Sequence, residues 1–101
     1  MTKPAAHRAS AEWLVGFSEP TRLAVIHVLA AGSRTVTDLA TVCKVEIVNL
    51  SHHLGVMRRA GLVVRERKGR FIWYSLIGAR VAGTELELVH KSGLRVIIPL
   101  A

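Results

Sequence analysis

The chain has 101 residues, half of them hydrophobic, and one cysteine. That is enough for one core, too apolar for a disordered chain, and unable to close an internal disulfide. No apolar run approaches the roughly 20 residues that span a bilayer, and the N-terminal residues lack the apolar centre of a secretory signal, so a cytoplasmic protein with no membrane partner is expected.

The net charge of +7 is unevenly placed. Residues 44–70 hold seven Lys/Arg against Glu46 and Glu66, whereas residues 1–43 and 71–101 each carry an excess of one. Cationic charge concentrated in one stretch suits a polyanion, and nucleic acid is the usual one.

Residues 1–9 read as a loose arm, followed by a first helix from about Ser10 to Phe17. Ser18-Glu19-Pro20 marks the next start: Ser18 as cap, Glu19 at the positive helix end, and Pro20 in a first turn whose N–H groups have no partners. Leu23, Ile26, Leu29 and Ala30 then share one face, and Gly32 ends the helix. Thr37 is the expected cap of a short third helix containing Asp38, Leu39, Ala40, Val42 and Cys43.

A tight connection at Lys44-Val45 leads into a fourth helix, about Glu46 to Ala60, with Leu50, Leu54 and Met57 inward at i, i+4 and i+7. Gly61 stands where it should stop. Leu62–Arg67 and Phe71–Leu76 are β-prone, joined through Lys68-Gly69-Arg70 as a hairpin. Residues 77–84 read as a connector, and Glu85–His90 with Leu94–Pro99 as a second hairpin.

The expected fold class is therefore α+β, mainly α. A winged helix-turn-helix occupies residues 10–76, and a connector with an additional C-terminal β-hairpin occupies residues 77–101. The major groove of B-DNA admits one α-helix, braced by the helix before it. With Leu50, Leu54 and Met57 inward, the fourth helix offers Ile47, Val48, Asn49, Ser51 and His52 to base edges or phosphates, while Arg58 and Arg59 suit phosphate clamping. The wing adds Arg65, Arg67, Lys68 and Arg70 around Gly69, a narrow basic tip for a minor groove or its phosphates.

Ser18-Glu19-Pro20-Thr21-Arg22-Leu23 resembles the second-helix signature of the ArsR/SmtB-type winged-helix regulators. Ser51-His52-His53-Leu54, with Met57 through Val63, resembles their recognition helix and its exit, and Arg65 through Leu76 their wing. The resemblance spans residues 12–76 with the spacing between blocks preserved. It implies a homodimer that binds double-stranded DNA, with recognition helices entering major grooves about 34–36 Å apart, and that represses transcription where its site overlaps a promoter.

Two departures from the family pattern stand out. Glu46, Ile47 and Val48 replace the small polar residues that usually open the recognition helix; Ile47 and Val48 can touch thymine methyl groups or be covered by protein. Residues 84–100 read as strands where many members have a long helix, and the second hairpin can serve a dimer interface or fold back on its own domain.

Metal and redox roles find little support. The family's Cys-x-Cys pair is absent from residues 36–42, as are the ligands of its last helix, so no metal or cofactor is expected. Cys43 reads as a small buried hydrophobe. His53 should pack beside the core with a ring nitrogen on backbone, His27 be partly buried or at the helix flank, and His90 lie at a strand end on the surface. Trp13 and Trp73 read as packing anchors. No phosphate loop, nucleophile elbow or metalloprotease motif is present, so no enzyme is expected. The competing readings are a winged-helix protein-interaction module and a DNA-binding sensor with a metal or redox effector.

Overall fold

The computed structural model describes residues 4–101. Helix α1 spans Pro4–Val15, α2 Pro20–Leu29, α3 Val36–Cys43 and α4 Ile47–Arg59. A two-residue strand, β1 (Arg34–Thr35), precedes α3; β2 (Val63–Lys68) and β3 (Phe71–Leu76) form the wing. The chain ends in β4 (Ala79–Ala82), β5 (Glu85–Val89) and β6 (Arg95–Pro99). Two antiparallel three-stranded sheets result, ordered β1-β3-β2 and β4-β5-β6.

The expected loose arm is helical from Pro4 onward, and only residues 1–3 lie outside the described residues. The cap of α2 is Glu19 rather than Ser18. One oxygen of its carboxylate, Oε2, accepts from the N–H groups of Thr21 (2.8 Å) and Arg22 (3.2 Å), while the Ser18 hydroxyl turns back to donate to Val15 O. A carboxylate supplies both charge and acceptor to free N–H groups, so it outcompetes the neutral hydroxyl.

The buried stripe of α2 is Arg22, Val25, Ile26 and Leu29. Leu23, expected inside, is 45% exposed because the helix is rotated to take Arg22 inward. Thr35, not Thr37, caps α3, its hydroxyl accepting from Asp38 N–H at 3.2 Å. The earlier start follows from β1, where Arg34 and Thr35 pair with Tyr74 and Trp73 and bring the chain into α3 directly from the sheet. Lys44 closes α3 in the left-handed region, at φ 56° and ψ 48°, which tightens the turn into α4.

In α4, Leu50, Leu54 and Met57 are completely buried, as their spacing predicts. The wing strands pair from Val63↔Leu76 to Lys68↔Phe71, leaving a two-residue loop, Gly69-Arg70. Lys68 therefore belongs to β2 rather than to the turn. Gly69 has φ 63° and Arg70 does not share the positive φ, the pattern of a type II′ turn with glycine first.

The expected connector contains a strand. β4 pairs along β5 from Ala79↔Leu88 to Ala82↔Glu85, and β6 pairs on the other side of β5, so the second hairpin is the greater part of a three-stranded sheet. One face of this sheet is apolar. Leu86 and Leu88 are fully buried in the same cluster as Trp13, Val25, Ile26, Leu39 and the inward residues of α4, with Val96 and Ile98 packed against it. The sheet thus folds back on its own domain. Its other face carries Glu87 between Arg80 and Arg95, each 3.5 Å away.

Candidate nucleic-acid interface

Burial fixes which side of α4 looks outward. With Leu50, His53, Leu54 and Met57 buried, the 100° step per residue sends Val48, His52, Gly55 and Arg59 to the opposite side, flanked by Ser51 and Arg58. Ile47, Val48, Asn49, Ser51, His52, Arg58 and Arg59 are all exposed. Val48 is 83% exposed and Ile47 about half, so the chain leaves Val48 open and covers Ile47 only in part. Glu46 occupies the N-cap without a side-chain bond to the helix.

Arg59 stands somewhat apart from the others. Its guanidinium lies back over Gly55, where an added Cβ would sit 3.2 Å from Nη1, and it also lines a hollow beside Glu12 of α1.

On the wing, Arg65 and Arg67 lie opposite Tyr74 and Ile72, while Glu66 and Lys68 lie opposite Trp73 and Phe71 on the other face. All four, and Arg70 at the turn, are exposed. Aromatic rings organise the tip: Lys68 Nζ is 5.7 Å from the Trp73 ring centroid, and the Arg70 guanidinium is 5.4 Å from that of Phe71. Lys68 also faces Glu66 at 3.5 Å, and Arg67 Nη1 donates to Gly69 O at 3.5 Å.

What sequence reasoning missed is the device behind α4. His53 packs beside the core as expected, but its ring nitrogens meet side chains rather than backbone. Arg22 Nη1 donates to His53 Nδ1 at 2.9 Å, and Arg22 Nη2 donates to Val15 O at 3.2 Å. A guanidinium only donates, so Nδ1 is the acceptor and the ring proton sits on Nε2, 3.6 Å from Oε2 of Glu19. Arg22 thus ties the end of α1, the start of α2 and the middle of α4 together. Among the described residues, its buried Nε has no partner. The sequence did carry a signal: Arg22 stands in the apolar stripe of α2, at i, i+4 and i+7 with Ile26 and Leu29, and a charge there needs a buried partner.

The other singled-out residues are dispersed. Cys43 is half-buried, and burial pushes its thiol pKa up, away from the reactive thiolate. His27, expected to be partly buried or at the helix flank, is exposed on α2. His90 is not a free surface residue, because its ring stacks on Trp13 at 5.0 Å. Trp13 is buried and Trp73 half-buried. Among the described residues, no three of His, Cys, Asp and Glu converge as a metal site would require.

A helix-turn-helix domain model matches residues 17–66. The chain is 40% identical over 82 residues to the HTH-type transcriptional regulator NmtR of Mycobacterium tuberculosis, covering 81% of this chain and 68% of that protein. It is 32% identical over 85 residues to the HTH-type transcriptional repressor SmtB of the same species, covering 84% and 63%. Among solved structures, the homodimeric winged helix-turn-helix DNA-binding domain of a possible ArsR-family transcriptional regulator from Mycobacterium bovis superposes with a TM-score of 0.69. It is 26% identical, covering 71% of this chain and 67% of that one. The chain thus spans about two thirds of the length of each. Helix order, wing and sequence agree: the chain belongs to the ArsR/SmtB family of winged helix-turn-helix transcriptional regulators.

Proposed function

We propose that two copies of the chain bind one duplex and repress transcription by occupying a promoter-overlapping site. The observation that carries this reading is the joint exposure of the α4 outer side and a cationic wing, while α4 is held from behind by Arg22 and His53. In this reading α4 enters the major groove. Ser51 and His52 hydrogen-bond base edges or phosphates, Asn49 contributes beside them, and Ile47 and Val48 meet thymine methyl groups. Arg58 and Arg59 neutralise phosphate at the helix end; Arg65, Arg67, Lys68 and Arg70 follow the adjacent backbone or minor groove.

The two sites on DNA should be related by a two-fold axis and separated by about one helical turn, 10–10.5 base pairs, as symmetric dimers require. No described helix is long and apolar enough to cross a membrane, and the proposed site of action is the cytoplasm.

Selection of bound fragments from a genomic library, followed by gel shift on the enriched duplex, tests the reading. A near-palindromic sequence retarded as a protein dimer is expected. His52→Ala should weaken binding to it by about tenfold while barely changing binding to random duplex. No retardation of any fragment overturns the proposal in favour of a protein-interaction module.

A further inference from the structure

At the C-terminal end of α4 a cleft of about 360 Å³ opens between α1, the residues that leave α4, and the terminal sheet. That volume lies in the range of small-molecule sites, about 300–1,000 Å³. Three cationic or hydrogen-bonding side chains, Arg59, His90 and Lys91, line it together with one carboxylate, Glu12. Among the described residues, Arg59, Lys91 and Glu12 form no ion pair.

His90 is the most constrained of them. Its ring lies against Trp13 with 27° between the planes. Ser92 N–H donates to His90 Nδ1 at 3.2 Å, and the Ser92 hydroxyl is 2.8 Å from the same nitrogen. Ser10 Oγ holds that hydroxyl in turn, at 2.8 Å. A backbone N–H can only donate, so Nδ1 is the acceptor and the proton of the neutral ring is on Nε2. Trp13 and the two serines therefore fix the ring of His90, a residue lining the cleft, before any ligand arrives, which lowers the ordering cost of binding.

We propose that this cleft binds a small organic acid bearing an amino or hydroxyl group. The carboxylate is held by Lys91 and the Nε2–H of His90, joined by Arg59 once its guanidinium swings in from over Gly55, and the amino or hydroxyl donor is held by Glu12. The carbon skeleton rests on Ile77 and Val89, an apolar wall that an inorganic anion would leave unused. Nothing in this rests on DNA binding, so failure here and failure of the operator reading are separate results. The link between them is physical: Arg59 ends α4, and an occupant touches the last turn of that helix.

Isothermal titration of the full chain with L-malate, L-lactate, L-aspartate and L-serine, and with inorganic phosphate as a control, tests the site. At least one organic acid should bind at one per chain. Lys91→Ala should weaken it about tenfold or more, the loss of one charge-assisted bond. His90→Phe, which keeps the ring against Trp13 but removes the donor, should do the same. Should that variant fail to fold, Lys91→Ala alone decides, since Lys91 is exposed. No binding by any of the four acids, equal binding of phosphate, or binding untouched by Lys91→Ala overturns the proposal.

Discussion

His52 and His53 are neighbours in sequence with opposite duties: one is exposed on the outer side of α4, the other is buried against Arg22 and Glu19. Because a helix turns 100° per residue, fixing the azimuth of one fixes the other. His53→Leu would leave the buried Nη1 of Arg22 without its acceptor and should cost about 2–3 kcal/mol, a loss that urea unfolding would measure. His53→Gln can still accept from Arg22 through its amide oxygen and should recover at least half of that loss. Equal stability of the two variants would show that packing, not the hydrogen bond, holds α4. The sequence showed that Leu50, Leu54 and Met57 point inward, because apolar spacing is a local property. It did not show what His53 meets, since its partner is 31 residues away and no period encodes that pairing.

At the scale of elements, the wing is a hairpin with a two-residue loop, and its Lys68 and Arg70 are braced by Trp73 and Phe71 rather than left loose in solvent. Each phosphate a cation neutralises contributes about 0.9 to the slope of log affinity against log salt. Replacing Arg67, Lys68 and Arg70 with alanine should therefore flatten that slope by about 2 per wing, less than three full charges because Glu66 already offsets Lys68. An unchanged slope in a fluorescence anisotropy titration would remove the wing from the DNA. Glycine and alternating β-prone residues made this hairpin readable. Strand β4 escaped because Arg80, Val81 and Ala82 lie between Gly78 and Gly83 in a run too short to show alternation, and their pairing depends on β5, which follows.

For the whole molecule, the terminal sheet is part of the hydrophobic interior that also seats α4. Leu86 and Leu88 share that interior with Trp13, Ile26 and Leu54. Leu86→Ala should thus destabilise the entire chain by about 3 kcal/mol, the usual cost of a large-to-small change at a closed site. Far-ultraviolet dichroism and tryptophan fluorescence should still report one coincident transition. Separate transitions, with only the β signal shifted, would make the sheet an appendage. The Glu85–Leu88 alternation revealed the strand, yet not its destination, because either face of an amphipathic sheet can meet its own domain or a second copy.

Gly78 stands where the wing hands over to that sheet, at φ 68°, with its carbonyl accepting from Val89 N–H at 2.9 Å. Any Cβ there would collide with the carbonyl oxygen of Val89, main chain that cannot swing aside as a flexible side chain would. Gly69 also has positive φ but open space around it, so substitution there meets conformational strain alone. A saturation library screened for folded protein should accordingly retain a scatter of survivors at position 69 and almost none at position 78. The hinge between the two halves of this chain is a locked keyhole, and drift in sequence can reshape either half more readily than it can alter the joint.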